Sequence, residues 1–403
     1  MKSNQEYRAI LDQYIPWGSS TCSKRARFMP EEPAVIVRGK GCRVWDADGR
    51  EFIDFRNSLG PITLGYCYEP VNEAVKEQLD KGIVFGYPSP LEAEVAELVC
   101  HTIPCAEKAR FLKTGGEAIA AVIKSARCVS GHDHVIQIGY NGWLNSLGSG
   151  GMTLPGQKAA DKLPGVPADL TALHHTCGWN DVETMERLGN LYGDNLACVV
   201  VAADYLRMDE AKTFYPFLRQ FVDKYGAALI YDEIVTGFRL ALGGAQELYG
   251  VTPDMAVFAK AVANGMPLSV YCGNAKWMKG LDTAIVSSTY GGEALSLAAA
   301  KAVINIYRTE PVIEHLWEMG NRMWSGMDRI FEAKGLPFNV PSRKPVGFVN
   351  VHADAPAGLF DNFLRACCAN GVTLYNGGYV NYSHKAADID EALERIEKAA
   401  ASL

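Results

Sequence analysis

The stretch AALIYDEIVTGFR, residues 227–239, decides how this chain is read. A short apolar run, Ala227 to Tyr231, ends in two acids, and the texture then turns loop-like. The run is a strand candidate. Asp232 falls at its carboxyl end, where open α/β sheets bind ligands. A carboxylate there pairs with a protonated ring nitrogen or a metal. Taken alone it also reads as a helix cap or a solvated loop acid.

Outward from this stretch the pattern repeats. ARFLKT (109–114), HVIQIGY (134–140), LACVVVAA (196–203) and MAVFAK (255–260) are further apolar strand candidates. Helical spacing lies between several of them. TFYPFLRQFVDKYG (213–226) lines up Phe214, Phe217, Leu218, Phe221, Val222 and Tyr225 and stops at Gly226. VNEAVKEQL (71–79) and LEAEVAELVCHTI (91–103) also read as helices. Strands alternating with helices predict an α/β domain with a mostly parallel central sheet.

The ends differ. AVIV (34–37), CRVW (42–45) and EFIDF (51–55) are short β-rich runs separated by the turn pairs Lys40-Gly41 and Asp48-Gly49, a β-meander. Beyond residue 305 helices and short strands resume, and a last helix begins near 389, with Asp388 and Glu391 at capping spacing. We therefore expect a large domain over 61–305. A smaller α+β domain is expected from residues 1–60 and 306–403. Residues 141–180 are rich in Gly, Pro and Ser and break the rhythm, as functional segments often do.

Composition removes several classes of function. The 403 residues are 48% hydrophobic and 21% charged, with a net charge of −7, an ordinary globular balance that argues against nucleic-acid binding. No apolar run is long enough for a membrane span. MKSNQEYRAI is too polar for a signal peptide. Eleven scattered cysteines without a CxxC pair fit thiols in a reducing cytoplasm. GxxxxGK[ST], GxGxxG and GxSxG are all missing. His132, His134, His174 and His175 lack metal-ligand spacing.

Three further segments carry chemistry. In KTGGEAIAAVIKSAR (113–127) a strand ends, Gly115 and Gly116 follow, and a helix begins whose buried face holds Ile119, Val122, Ile123 and Ala126. Two glycines at a helix N-terminus let backbone N–H groups reach a phosphate, although such turns also occur for no reason but chain reversal. Lys260, in VFAKAVANGMP (257–267), is a lone charge after an apolar run. A desolvated lysine loses basicity and becomes a nucleophile toward carbonyls. By itself it also reads as a surface lysine just past a strand. Thr289, in SSTYGGEALSLAAAKA (287–302), precedes a strongly helical run, and its hydroxyl is a phosphate-binding candidate or part of a plain helix lead-in.

In this order and spacing the combination resembles the class III aminotransferases, pyridoxal-phosphate enzymes of fold type I. It is most similar to the group around glutamate-1-semialdehyde aminomutase, which includes sugar-modifying relatives. The resemblance runs from IPWGSS (15–20) and VWDADGREFIDF (44–55) to HKAADIDEAL (384–393), with DEIVTGFR (232–239) its most diagnostic piece.

The resemblance implies pyridoxal 5'-phosphate as cofactor and Lys260 as the Schiff-base lysine and proton shuttle. It implies that Asp232 holds the pyridine nitrogen protonated, and that Ile234 and Tyr140 cover the two ring faces. Gly115 and Gly116 would bind the phosphate, joined by Thr289 from the neighbouring subunit of a homodimer. The implied reaction transfers an amino group from a donor to an aldehyde or ketone, the acceptor being sugar-like or otherwise specialised. An aminomutase, lyase or epimerase on the same scaffold is the alternative, and a non-catalytic relative is a third reading. Trp17, Lys24, Arg25 and Trp143 are the candidate substrate contacts. The chain departs from the family pattern at Gly116 for Ser or Thr and at Asn141 for His. Ala202-Ala203 replaces Glu-Pro, and Glu293 replaces the commonest Asn. LYNGGYVNYSHK (374–385) has no arginine for a substrate carboxylate.

Overall fold

A computed structural model describes residues 1–145, 165–342 and 344–403. Much of the irregular segment anticipated over 141–180 therefore lies outside the described residues. The chain forms two compact units, one from Met1–Glu69 with Glu314–Leu403 and one from Pro70–Ile313.

The larger unit is built on a seven-stranded sheet. Its strands are β4 (Lys108–Leu112), β5 (His134–Ile138), β6 (His174–Cys177), β7 (Leu196–Ala202), β8 (Ala228–Asp232), β9 (Met255–Phe258) and β10 (Ser269–Gly273). Their spatial order is β4-β10-β9-β8-β7-β5-β6. Only β10 runs against its neighbours β4 and β9, so six strands point the same way. Every residue of β7, β8 and β9 is buried. That explains the apolar runs without alternation, since helices cover both faces of such a sheet.

One of those helices, Gly115–Ser130, buries Ile119, Val122, Ile123 and Ala126 against Val200, Ile230 and Val257 of the sheet. Each such side chain contributes about 1.5–3 kcal/mol on burial. The helix starts with a capping box. Glu117 N–H donates to Thr114 Oγ1 at 3.4 Å, and Thr114 N–H donates back to Glu117 Oε2 at 2.8 Å. The helix anticipated at 213–226 spans Ala211–Tyr225. It stops because Gly226 turns left-handed, at φ +67°.

The smaller unit holds the meander, β1 (Ile36–Lys40), β2 (Arg43–Asp46) and β3 (Glu51–Asp54). A fourth strand from the far end of the chain, Val372–Thr373, pairs parallel to β3. Arg43 explains part of this union of the two termini. Its guanidinium donates to Glu51 at 2.7 Å, Asp388 at 2.9 Å and Glu391 at 2.6 Å. The last helix spans Ala386–Ala400, three residues ahead of its expected start, because Asp388 sits inside its first turn and accepts from Lys385 N–H. Among the described residues no helix is long and apolar enough to cross a membrane.

Ile230 lies fully buried at the centre of the sheet. Ile230→Ala is expected to cost about 2–5 kcal/mol through lost burial and an unfilled cavity, read as a lower urea midpoint.

Candidate active site

Because β4, β5, β7, β8 and β9 are parallel, their carboxyl ends share one edge of the sheet, and the residues that follow them are brought together there. Register fixes the central ones. Asp232, the last residue of β8, lies beside Ala202 of β7 and Val257 of β9. Lys260 comes three residues after Val257. Gly115 follows β4 and Tyr140 follows β5.

Lys260 does not continue β9. The strand ends at Phe258, and Lys260 opens a short 3-10 turn, Lys260–Ala263. It is held at φ +48°, left-handed backbone that costs a non-glycine residue about 1–3 kcal/mol and recurs at functional sites. Among the described residues its amine has no hydrogen-bond or ion-pair partner. Burial lowers its pKa to about 8, against a restraining pull from Asp232, and nearby Arg239 lowers it further.

Asp232 shows the opposite shift. No helix starts after it, so it is not a cap. Its Oδ1 accepts from Ile234 N–H at 3.0 Å. Burial raises its pKa to about 7, opposed by that hydrogen bond and by Lys260, while Glu233 pushes it upward. A carboxyl and an amine whose charges are both suppressed by burial stand at adjacent strand ends. Such a pair accommodates a bound group that is itself charged.

The glycine turn meets the same edge. A methyl group on Gly115 would overlap Ile234 Cδ1, so the start of the Gly115–Ser130 helix packs directly on the residue two past Asp232. Gly116 is less constrained, because an added Cβ would make only a 3.4 Å contact with Leu144. The missing hydroxyl at 116 is therefore not imposed by crowding. Tyr140 is 53% exposed, and its hydroxyl pKa is raised by burial and by the charge of Asp232. The residues fit pyridoxal phosphate. Asp232 is an acid able to meet a protonated ring nitrogen, Lys260 an amine of lowered basicity able to meet a carbonyl, and the N-terminus of the Gly115–Ser130 helix a seat able to take a phosphate.

Other expected residues are placed more loosely. Thr289 lies in an exposed turn and has no hydrogen bond among the described residues, and Trp143 is 70% exposed. Trp17, Lys24 and Arg25 belong to the smaller unit. There Arg25 lies 5.8 Å over the Trp17 ring, and Lys24 Nζ donates to Ser58 Oγ at 3.1 Å. Asn141 is buried and donates to the carbonyls of Ile138 and Gly139, closing the end of β5. The histidines set aside as metal ligands bond elsewhere: His134 Nδ1 to His175 Nε2 at 2.9 Å, and Arg127 to His174 at 3.2 Å.

Sequence reasoning gave no role to Glu233. This buried acid accepts from Ala245 N–H at 2.8 Å, Gln246 N–H at 3.0 Å and the Thr236 hydroxyl. It ties the loop after β8 to residues 244–246. Its only local signal was a second acid directly after Asp232.

A model of the family "Aminotransferase class-III" matches residues 26–400. The chain belongs to the class III aminotransferases. This family uses pyridoxal phosphate, in agreement with the residues at the sheet edge. Glutamate-1-semialdehyde 2,1-aminomutase of Aquifex aeolicus is 31% identical over the whole of both chains. The fold is shared with two solved structures. One is the FumI protein of Sphingopyxis sp. MTA144 in its PLP internal aldimine form, with a TM-score of 0.89 and 23% identity over 99% of this chain and 96% of that one. The other is an omega-transaminase from Sphaerobacter thermophilus, with a TM-score of 0.89 and 23% identity over 99% and 97%. The large mostly parallel sheet is thus that of fold type I.

The opposed shifts predict a pH profile. Only the neutral amine attacks a carbonyl, so reductive alkylation of Lys260 by acetaldehyde and cyanoborohydride is expected to quicken with pH through a midpoint at about 8 and to level off well above it. Asp232 raises the pKa of Lys260, so Asp232→Asn is expected to move that midpoint to lower pH. Mass spectrometry of the Lys260 peptide across pH checks both.

Proposed function

We propose that this chain moves amino nitrogen by way of pyridoxal phosphate held at the carboxyl edge of the large sheet. The observation that carries this reading is the suppressed amine of Lys260 beside the suppressed carboxyl of Asp232. When bound, the cofactor supplies an electron sink for breaking the Cα–H bond of an amino compound.

The chain's own residues do the rest. Asp232 would accept a hydrogen bond from a protonated pyridine nitrogen, and that cation would offset the burial that penalises its lone charge. Lys260 Nζ would hold the cofactor and, when free, would move a proton at the substrate Cα, a task suited to an amine whose pKa burial lowers to about 8. Ile234 and Tyr140 would flank the ring and exclude water. The N–H groups of Gly115 and Gly116 would hold the phosphate, and Thr289 would reach it from the second subunit of a homodimer. The turn that carries Thr289 is exposed, which leaves it available to such a partner. The protein works in the cytoplasm.

The main reading is an aminotransferase with an amino donor and an aldehyde or ketone acceptor. Ala202 offers no acid to manage an α-carboxylate. Trp17, Lys24, Arg25 and Trp143 are the proposed substrate contacts; Trp17 and Trp143, with Tyr140, suit a polyhydroxylated or bulky substrate, and Lys24 or Arg25 would meet a carboxylate. An aminomutase is the second reading, favoured by the names of the 31% identical relatives.

Isotope tracing separates them. With a 15N-labelled amino donor and a carbonyl acceptor, a transferase delivers label to a separate acceptor molecule, whereas a mutase keeps nitrogen within one carbon skeleton. Lys260→Ala is expected to abolish either outcome while leaving the circular dichroism spectrum unchanged. Label transfer that survives Lys260→Ala contradicts the assignment.

A further inference from the structure

Lys113 and Glu293 stand 180 residues apart in sequence, yet Lys113 Nζ lies 2.9 Å from Glu293 Oε2. Both side chains are largely buried, 16% and 10% exposed. Lys113 immediately precedes the Thr114–Gly115–Gly116 turn. Glu293 immediately precedes the helix Ala294–Thr309 and caps it, accepting from Leu295 N–H and the Ser296 hydroxyl, both at 2.6 Å. Burial opposes the charge of Glu293, and hydrogen bonds from Ser296 and Lys113 outweigh it, holding its carboxyl below the usual range.

Beside the ion pair, which lies one residue past the end of β4, other contacts tie β4 itself to the loop that carries Thr289. Arg110 donates to the Val286 carbonyl at 2.9 Å. Gly291 lies so near Phe111 that an added methyl would come within 2.8 Å of its carbonyl oxygen. β4 is an edge strand, and this loop covers it. A largely buried ion pair is often replaceable by apolar residues with little loss of stability, so its value here lies in the spacing it sets.

We propose that the Lys113–Glu293 pair is a positioning device that fixes the Thr289 loop against the 114–116 turn, and that tight retention of the cofactor phosphate depends on it. This rests on the phosphate roles given to Gly115, Gly116 and Thr289 above. Within one chain the pair ties the turn that serves its own site to the loop that serves its partner's. Fitting the phosphate at either site therefore depends on the same contact.

The test uses holoenzyme of wild type, Lys113→Met, Glu293→Gln, the double variant and Lys113→Arg. Release of pyridoxal phosphate into a scavenging phosphatase, the 31P resonance of the bound phosphate, and the urea midpoint are measured on each. Lys113→Met is expected to speed release by about tenfold or more, with a shifted 31P resonance. The double variant should be no worse than the worse single one, as for a coupled pair. Lys113→Arg should restore both readouts to within about twofold, since it keeps the charge. Should Lys113→Met not fold, Glu293→Gln gives the same comparison with the helix cap's acceptor oxygen retained. Unchanged release and resonance, with or without a lower urea midpoint, make the pair structural only and overturn the proposal. Borohydride fixation of the cofactor on wild-type Lys260 keeps the two claims apart. Fixation with unchanged release refutes the pair alone, whereas no fixation at Lys260 removes the phosphate reading on which it rests.

Discussion

Everything at the sheet edge depends on the burial of an acid and an amine at the ends of two adjacent parallel strands. Neither Asp232 nor Lys260 is comfortable as an isolated charge there, and their ionisation is displaced in opposite directions. An uncompensated charge in such surroundings costs several kcal/mol. A fold keeps both groups in place only if the sheet beneath them is stiff, and the wholly buried strands β7, β8 and β9 make it so. The left-handed backbone of Lys260 is a second cost met by the same packing, because the turn Lys260–Ala263 is clamped by the buried residues Ala261, Val262 and Ala263.

The remaining pieces are arranged around that pair by close approach. Gly115 has no room for a side chain because Ile234 fills the space, so the Gly115–Gly116 turn and the segment after Asp232 are fixed relative to each other. Glu233 holds the next stretch down by accepting backbone N–H groups at its far side. Two neighbouring acids thus divide the work. Asp232 has one oxygen engaged by Ile234 N–H and a free capacity to bind, while Glu233 is occupied by the fold itself.

Much of this was legible in the sequence because it rests on local patterns. Fully apolar runs mark the parallel strands, a Gly-Gly pair before a periodic helix marks the start of Gly115–Ser130, and Gly226 marks a helix stop. Where reading fell short, the cause was non-local. Lys260 reads as a strand end, but its left-handed turn is imposed by packing on either side, which no propensity reveals. The last helix begins early because Asp388 lies inside its first turn, where both Lys385 N–H and Arg43, far away in sequence, donate to it. In the sequence Glu293 stands out only as a departure from a family pattern, and Lys113 carries no local signal. Their pairing spans 180 residues and is visible only once β4 and the loop before Ala294–Thr309 are laid side by side. The placement of Trp17, Lys24 and Arg25 as substrate contacts still rests on resemblance, whereas Asp232, Ile234 and Gly115 rest on register and contact.

The most direct measurement is reduction of the cofactor-loaded protein with borohydride followed by peptide mapping. The account predicts one pyridoxyl group per chain, carried on the peptide containing Lys260, with Asp232→Asn altering the absorbance of the bound cofactor before reduction. A pyridoxyl group on any other lysine, or no stable adduct at saturating cofactor, would contradict it.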